Sequence, residues 1–456
     1  MIRGVGGPEA RSQPFYWEKV LFNLRGGFLV RPLVIVIVLG LAGAASSTLE
    51  ETYPRISTFL PSLIFPPHSD PQVTQAILIC IAESVMTVVS IVFAILLMSL
   101  TLASMQFSPR IMLSFTTDRV TQWTLGLFLG TFSYCIAALP AARMRPREFA
   151  PVVTVSGAIL LALVCVIWLL FFIHHISHEI SVNHIVDRIA TETDTMIDLV
   201  MPEPAKPQLE MLDDRGPDRT DGIPVLSTRS GYVRYLDCER LVAAAKQQKV
   251  VIDVVRRVGH FVPAGVPIVR VWKPEKLSPA LVAEIRACYD IGPTRTLQQD
   301  IEFGILQIVD IALRAVSPAV NDPSTAICCV DHLSRILIRC AGRQTPRPKY
   351  FDPPGTLRLT VPVMGVERLV HSAFDQVRIY AKGDVAVNLR LLRALGDIAI
   401  ASQDPRIRKS LAALGSRIVA GTEAMFDEEE MRELRQRLYG LQQLSMDGDA
   451  PRVSPT

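Results

Sequence analysis

The sequence predicts a membrane α-helical protein: four transmembrane helices, then a cytoplasmic α+β region that is helix-rich with a small β-subdomain. Three observations predict it. Apolar runs fill residues 32–49, 75–105, 122–142 and 152–174, and none occurs in residues 176–456. These lengths suit the roughly 20 helical residues that cross a ~30 Å hydrocarbon core, where backbone groups must pair within their own segment. The composition is mixed. A mean hydropathy of +0.31 is high for a soluble chain, whereas 20% charged residues is too many for one wholly in lipid. Beyond residue 222 the pattern turns to short strand-like stretches and then to amphipathic helices.

The elements follow in order. Residues 1–31 form a cytoplasmic N-terminal segment and 32–175 the four-helix membrane domain. The first run is short, and its second half is small and hydroxylated (Gly40, Gly43, Ala44, Ala45, Ser46, Ser47, Thr48). Small residues let helices approach closely, so this half is expected inside a bundle. The run starts well into the chain without a convincing cleavage site and reads as a retained anchor. Arg3, Arg11, Lys19, Arg25 and Arg31 precede it, and the loop after it carries only Arg55 among Glu50, Glu51 and Asp70. That asymmetry places the N-terminus in the cytoplasm, and four spans return the C-terminus there. Arg143, Arg145 and Arg147 in the third loop run against the rule.

The second run is longer than a bilayer needs, so projection is expected, with Pro109 ending or kinking it. At 100° per residue Glu83, Thr87, Ser90 and Thr101 share a face. Two readings of that stripe stay open: a helix–helix interface, and a water-filled path with these four residues as its lining. At the end of the fourth run, His174 and His178 stand one helical turn apart, as do His175 and Glu179. His174 and His178 are candidate metal ligands or proton sensors, against the plainer reading of polar residues where the helix leaves lipid.

Residues 176–222 read as a juxtamembrane helix, continuing to about residue 199, and a Pro/Asp-rich linker. Residues 223–275 read as a small β-rich subdomain. It has strands near 231–236 and 250–255, a short helix capped by Asp237, and Gly259 and Gly265 echoing half of a biotinyl-type barrel without an attachment lysine. Residues 276–442 read as a helical domain with one further strand near 357–361, and 443–456 as a disordered tail. The densest polar cluster is Asp300, Glu302, Asp310, Arg314, Asn321 and Asp322. Asp310 and Arg314 are spaced to pair along a helix, and Asp322 or Ser324 is placed to cap the next one. The cluster reads either as a cation or small-ligand site or as a polar-cored hairpin with paired charges.

Four ordered motifs carry a resemblance: Ala103-Ser-Met-Gln-Phe-Ser-Pro-Arg110, Phe172-Ile-His-His-Ile176, Gln299-Asp-Ile-Glu-Phe-Gly304 and Ala315-Val-Ser-Pro-Ala-Val-Asn-Asp-Pro323. The chain resembles the bacterial membrane proteins grouped as domain of unknown function 2254, over nearly its whole length. It departs in having alanine where a glycine is expected after Pro318. The resemblance implies a bacterial inner-membrane protein with four spans and a cytoplasmic domain, and no activity.

No nucleotide loop, nucleophile elbow or zinc-enzyme motif is present, so no catalysis and no cofactor are expected. No basic run suggests nucleic acid. The eight cysteines lack metal-ligand spacing, and adjacent Cys328 and Cys329 suit a reduced compartment. The expected partners are the lipid bilayer, further copies of the chain, and a small ion or ligand. The functional expectation is a homo-oligomeric channel or transporter with a cytoplasmic gating domain. The alternative is a membrane-tethered sensor or scaffold whose cytoplasmic domain binds a ligand or partner.

Overall fold

The computed structural model describes residues 30–53, 70–106, 119–141, 150–179, 181–201, 222–272, 277–344, 349–352 and 355–446. The expected kink at Pro109, the loop arginines and nearly all of the linker and tail lie outside them. The chain divides into two compact units, one ending at Ile180 and one continuing from Ser181.

In the N-terminal unit four helices are long and apolar enough to cross a membrane: α1 (Val30–Thr52), α2 (Pro71–Gln106), α3 (Arg119–Ala138, continued by the 3-10 turn Leu139–Ala141) and α4 (Val152–Glu179). Their outer faces are large and apolar. Leu33, Val38 and Leu41 on α1 and Leu160, Leu163, Ile167 and Leu170 on α4 are all exposed. So broad an apolar surface suits hydrocarbon.

The small residues of α1 lie against α3. A Cβ on Gly43 would stand 2.4 Å from the Tyr134 carbonyl oxygen, and one on Gly40 2.4 Å from the Ser133 hydroxyl. Gly126 and Gly130 of α3 in turn make room for Ile35 and Leu39. Close approach of this kind lets dispersion hold helices together where no hydrophobic drive separates lipid from side chain. Helix α2 joins through Leu78, Ala82 and Val85, which meet Cys135, Ala138, Val155 and Ala158 in one cluster and Phe128 and Cys165 in another.

Helix α1 runs past the expected end at residue 49, and this brings Glu50 out of the loop and into the helix. Glu50 is 3% exposed. Its carboxylate accepts from Val153 N at 2.9 Å and from Thr154 N and Oγ1 at 3.1 Å. The first-turn N–H groups of α4 have no partner within their own helix, and an anion there also meets the positive helix end. The Tyr134 hydroxyl donates to the Thr154 carbonyl at 3.1 Å and lies 3.2 Å from Ser46 Oγ. One polar knot thus ties α1, α3 and α4.

The C-terminal unit opens with α5 (Val182–Val200), a helix separate from α4, because Ser181 has extended backbone angles. Strands β1 (Ile223–Leu226), β2 (Gly231–Leu236), β3 (Val251–Val254), β4 (Phe261–Val262) and β5 (Pro267–Trp272) follow, with α6 (Cys238–Gln247) between β2 and β3. Helix α7 (Pro279–Ala287) leads into β6 (Tyr289–Gly292). Helices α8 (Ile301–Ala315) and α9 (Pro323–Ala341) precede β7 (Lys349–Asp352) and β8 (Thr356–Thr360). Four helices close the described chain: α10 (Val366–Tyr380), α11 (Val385–Ala401), α12 (Pro405–Ala420) and α13 (Glu428–Met446).

The strands form two sheets, ordered β1-β5-β3-β8-β7 and β4-β2-β6. All neighbours are antiparallel except β3 and β8, where Ile252 lies opposite Leu359 in parallel register. The β layer therefore reaches beyond residues 223–275 and takes in β6, β7 and β8. Leu241, Ile252, Ile268, Val271, Ile285 and Leu359 fill its core. The helices start where the sequence supplies caps. Asp237, Asp300, Asp322, Asp384 and Asp404 each accept a backbone N–H of the first turn.

Helix α5 is fastened to α9 by an acid–base ladder. Asp187, Asp194 and Asp198 lie on one face of α5, Arg335 and Arg339 on one face of α9, and Arg343 just past its C-terminal end. Arg335 reaches Asp187 at 2.9 Å and Asp194 at 2.7 Å, and Arg343 meets Asp198 at 2.6 Å. Arg339 also holds Asp198, and that hydrogen bond, with the two nearby guanidinium charges, keeps the Asp198 carboxyl below its ordinary range. A group with a lowered folded pKa stabilises fully above its unfolded value, about 4, and that stability is lost as pH falls through the folded one. Asp198→Asn is therefore expected to flatten part of the decline in melting temperature below about pH 4. An unchanged acid limb of the Tm–pH curve would show that the ladder carries no pH-dependent stability.

Candidate functional site

Two places gather the residues singled out by sequence, one in each unit. The first is the outer stripe of α2. Relative to Leu78 in the buried cluster, Glu83, Thr87, Ser90 and Thr101 lie about 120–180° around the helix. All four are exposed. The hydroxyls of Thr87, Ser90 and Thr101 donate back to Glu83 O at 2.9 Å, Met86 O at 3.1 Å and Leu97 O at 2.8 Å. Their donor hydrogens are therefore spent within α2 itself. Glu83 lies ~18 Å along the helix from Pro71, near the middle of the apolar span Pro71–Met98. A carboxylate at that depth is costly unless water, a cation or another protein surface meets it.

At the end of α4, His174 is exposed and the half-buried His175 ring stacks on Phe171, with centroids 6.3 Å apart. The side chain of His178 lies outside the described residues. Among the described residues no three His, Cys, Asp or Glu side chains converge on a metal position.

The second place is the turn into α8. The residues of the polar cluster distribute over both ends of that helix. Asp300 and Glu302 stand at its start, half-buried Asp310 and Arg314 in its second half, and Asn321 and Asp322 in the turn beyond. Fifteen helical residues span ~22 Å, so the carboxylates of the two ends do not share one centre.

At the start, Arg295 grips Asp300 with two hydrogen bonds of 2.8 Å and reaches Glu302 at 3.2 Å. Glu302 also accepts from Arg257 and from Ser372, each at 3.2 Å. Burial pushes the Asp300 carboxyl up and outweighs the downward pull of Arg295. Burial also pushes Glu302 up, but Arg257 and Arg295 together hold it below its ordinary value. Gly259 crosses over the pair with φ +87°, and a Cβ there would lie 2.6 Å from Asp300 Oδ2. Only glycine satisfies both that backbone angle and that space.

The neighbouring motif residues serve the same junction. Gln299 receives the Leu236 N–H at 3.0 Å and so ties α8 to β2. Gly304 lets Thr193 of α5 approach to 2.0 Å from where a Cβ would be. At the far end Asn321 takes φ +48°, an angle asparagine tolerates better than most residues. Asp322 then caps α9 through Thr325, at 3.1 Å to N and 2.6 Å to Oγ1. The hydrogen bonds of Asp322 hold its carboxyl below its ordinary range.

Beside the first turn opens a cleft of about 660 Å³. Gln298, Gln299, Ile301 and Glu302 form one side, Leu199–Met201 at the end of α5 another, and residues 361–364 before α10 a third. Arg257, Asp237, Cys238, Glu239, Tyr235 and Tyr350 also line it. Arg257 had no sequence signal, because its link to Glu302 spans 45 residues.

Elsewhere in this unit Ser410 Oγ lies 3.5 Å from His371 Nε2, and His371 Nδ1 lies 3.0 Å from Asp375. The order is that of a hydrolytic triad, but the geometry works against it. Ser410 sits inside α12, where backbone N–H groups are spent on the helix and none is free for an oxyanion. Asp375 is also held by Arg378 at 3.4 Å and Arg417 at 3.2 Å.

Four helices apolar and long enough to cross a membrane, followed by a helix-rich unit with two small sheets, define a class of predicted membrane proteins. The chain belongs to the family described as "Predicted membrane protein (DUF2254)", whose match covers residues 25–397. It is similar to uncharacterised proteins of Mycobacterium tuberculosis and Mycobacterium bovis. Each is 31% identical over 423 residues, covering 91% of this chain and 80% of the relative. No solved structure matches.

Proposed function

We propose that the protein is a homo-oligomeric channel or transporter of a bacterial inner membrane. In this reading both termini are cytoplasmic, the α2 stripe lines the path and the C-terminal unit gates it. The observation that carries the reading is the place of Glu83, near the middle of an apolar span and turned away from the rest of its own unit. A second copy supplies what one copy lacks: a ring of Glu83 side chains about a symmetry axis draws in water and favours cations. Four helices enclose no wide path alone, so the reading requires the oligomer.

Purified protein in liposomes tests it. Parent protein should conduct cations, Thr87→Trp should block the flux, and Glu83→Gln should weaken the cation preference. Absence of flux from the parent, or Thr87→Trp conducting like the parent, would overturn the pore. The alternative, a membrane-tethered sensor without a path, is favoured by the cleft beside Gln299 and Glu302, whose size suits a small ligand.

A further inference from the structure

We propose that the cleft beside the α8 turn binds a small organic cation with an apolar body. The assignment rests on the sensor reading of the C-terminal unit and is independent of any pore.

Three features of the lining point to that chemistry. First, the cleft's 660 Å³ falls within the ~300–1,000 Å³ typical of small-molecule sites. Part of its lining is apolar, with half-buried Val363 and Met364 and the buried Met201 and Leu369. A fully hydrated metal ion would leave that part unused. Second, the charge is unbalanced. Among the described residues Asp237, Glu239 and Glu302 line the cleft against Arg257, so three carboxylates there face one guanidinium. Arg257 is moreover already spent, donating to Glu302 at 3.2 Å and to the Val258 carbonyl at 3.1 Å. An anionic ligand would meet carboxylates with no guanidinium to spare. Third, Tyr235 and Tyr350 stand in the lining, 42% and 36% exposed as whole residues. Exposed aromatic faces beside carboxylates attract cations, and quaternary ammonium groups most readily, because these lose little hydration on entry.

Cys238 also lines the cleft and serves as a built-in reporter. It is half-buried, and burial raises its thiol pKa, so it alkylates slowly and measurably. Cys328, similarly half-buried, is absent from the lining and serves as the internal control.

The experiment uses the full chain in nanodiscs of neutral lipid. Alkylation by iodoacetamide is followed peptide by peptide with mass spectrometry, in the presence of phenyltrimethylammonium or, for comparison, benzenesulfonate. The cation is expected to slow alkylation of Cys238 and leave Cys328 unchanged, and the sulfonate to protect neither. Glu239→Lys, at an exposed position, should weaken the protection at least tenfold, and Met364→Trp should abolish it by filling the space. A folded Glu239→Lys protein that is protected like the parent would overturn the proposal. So would equal protection by the sulfonate, or none by the cation up to about 1 mM. None of these measurements involves flux, so failure here and failure of the pore are separate results.

Discussion

Replacing Arg295 with alanine is expected to destabilise the C-terminal unit by about 3–5 kcal/mol, the cost of leaving a buried charge without its partner. Asp300 has a side chain only 2% exposed, and Arg295 supplies both of its short side-chain hydrogen bonds. The loss is bounded because the Phe303 N–H still donates to Asp300 at 3.1 Å and Glu302 keeps Arg257. For a unit of this size the corresponding fall in melting temperature is roughly 6–15 °C. The pH dependence has a definite sign. The folded pKa of Asp300 is raised by burial, so its burial costs stability increasingly as pH rises above the unfolded value of about 4. Without Arg295 that cost grows, and the deficit of Arg295→Ala against the parent should be largest near neutrality and shrink toward pH 4. Arg295→Lys should fall between, keeping the charge but losing the two-pronged grip. Melting followed by circular dichroism across pH 4–8 decides it, and a variant that melts like the parent would show the pair to be dispensable.

The four long apolar helices and most of the others were legible because their signals are local. Apolar runs of bilayer length mark α1 to α4, and Asp237, Asp322 and Pro323 announce the starts of α6 and α9 within a few residues. What escaped depends on residues far apart in the chain. Strand β8 completes a sheet begun more than 100 positions earlier, where Ile252 meets Leu359, and nothing near Leu357 states that the partner lies parallel. Glu50 sits among loop-like residues, and only the approach of Val153 and Thr154 makes it a helix cap.

The site was legible in the same measure. Asp300 and Glu302 stand out by their charge beside Phe303 and Gly304, and Arg295 lies in the same short segment. That Arg295 closes back on both carboxylates follows from the turn before α8, where Asp300 leaves helical angles to act as a cap. The wider reading, with Asp310 and Asp322 joining them, takes sequence proximity for spatial proximity. A rigid helix intervenes and carries the groups to opposite ends. The stripe on α2 was visible because a helix repeats its faces regularly. Which neighbour that face meets is set by the other helices, and their placement is not written in the stripe itself.

The second large effect is expected at Gly43. Gly43→Ala should destabilise the N-terminal unit by about 3 kcal/mol, the upper part of the range for overpacking. The added Cβ would meet the Tyr134 carbonyl oxygen at 2.4 Å and its Cα at 3.0 Å, both backbone atoms that cannot rotate away. Relief requires α1 to move off α3, and that movement pulls on Ser46, 3.2 Å from the Tyr134 hydroxyl, and on Glu50 at the start of α4. Gly130→Ala in the same interface is the control. Its added Cβ meets Leu39 Cδ1 at 2.5 Å, the far end of a flexible side chain that can change rotamer. Its cost should be nearer 1 kcal/mol. Thermal unfolding in detergent, with both variants beside the parent, measures the difference. If the two glycines prove equally tolerant, the helices do not touch backbone to backbone at Gly43. If Gly43→Ala alone collapses, the small half of the first span is the fulcrum on which α1, α3 and α4 are assembled.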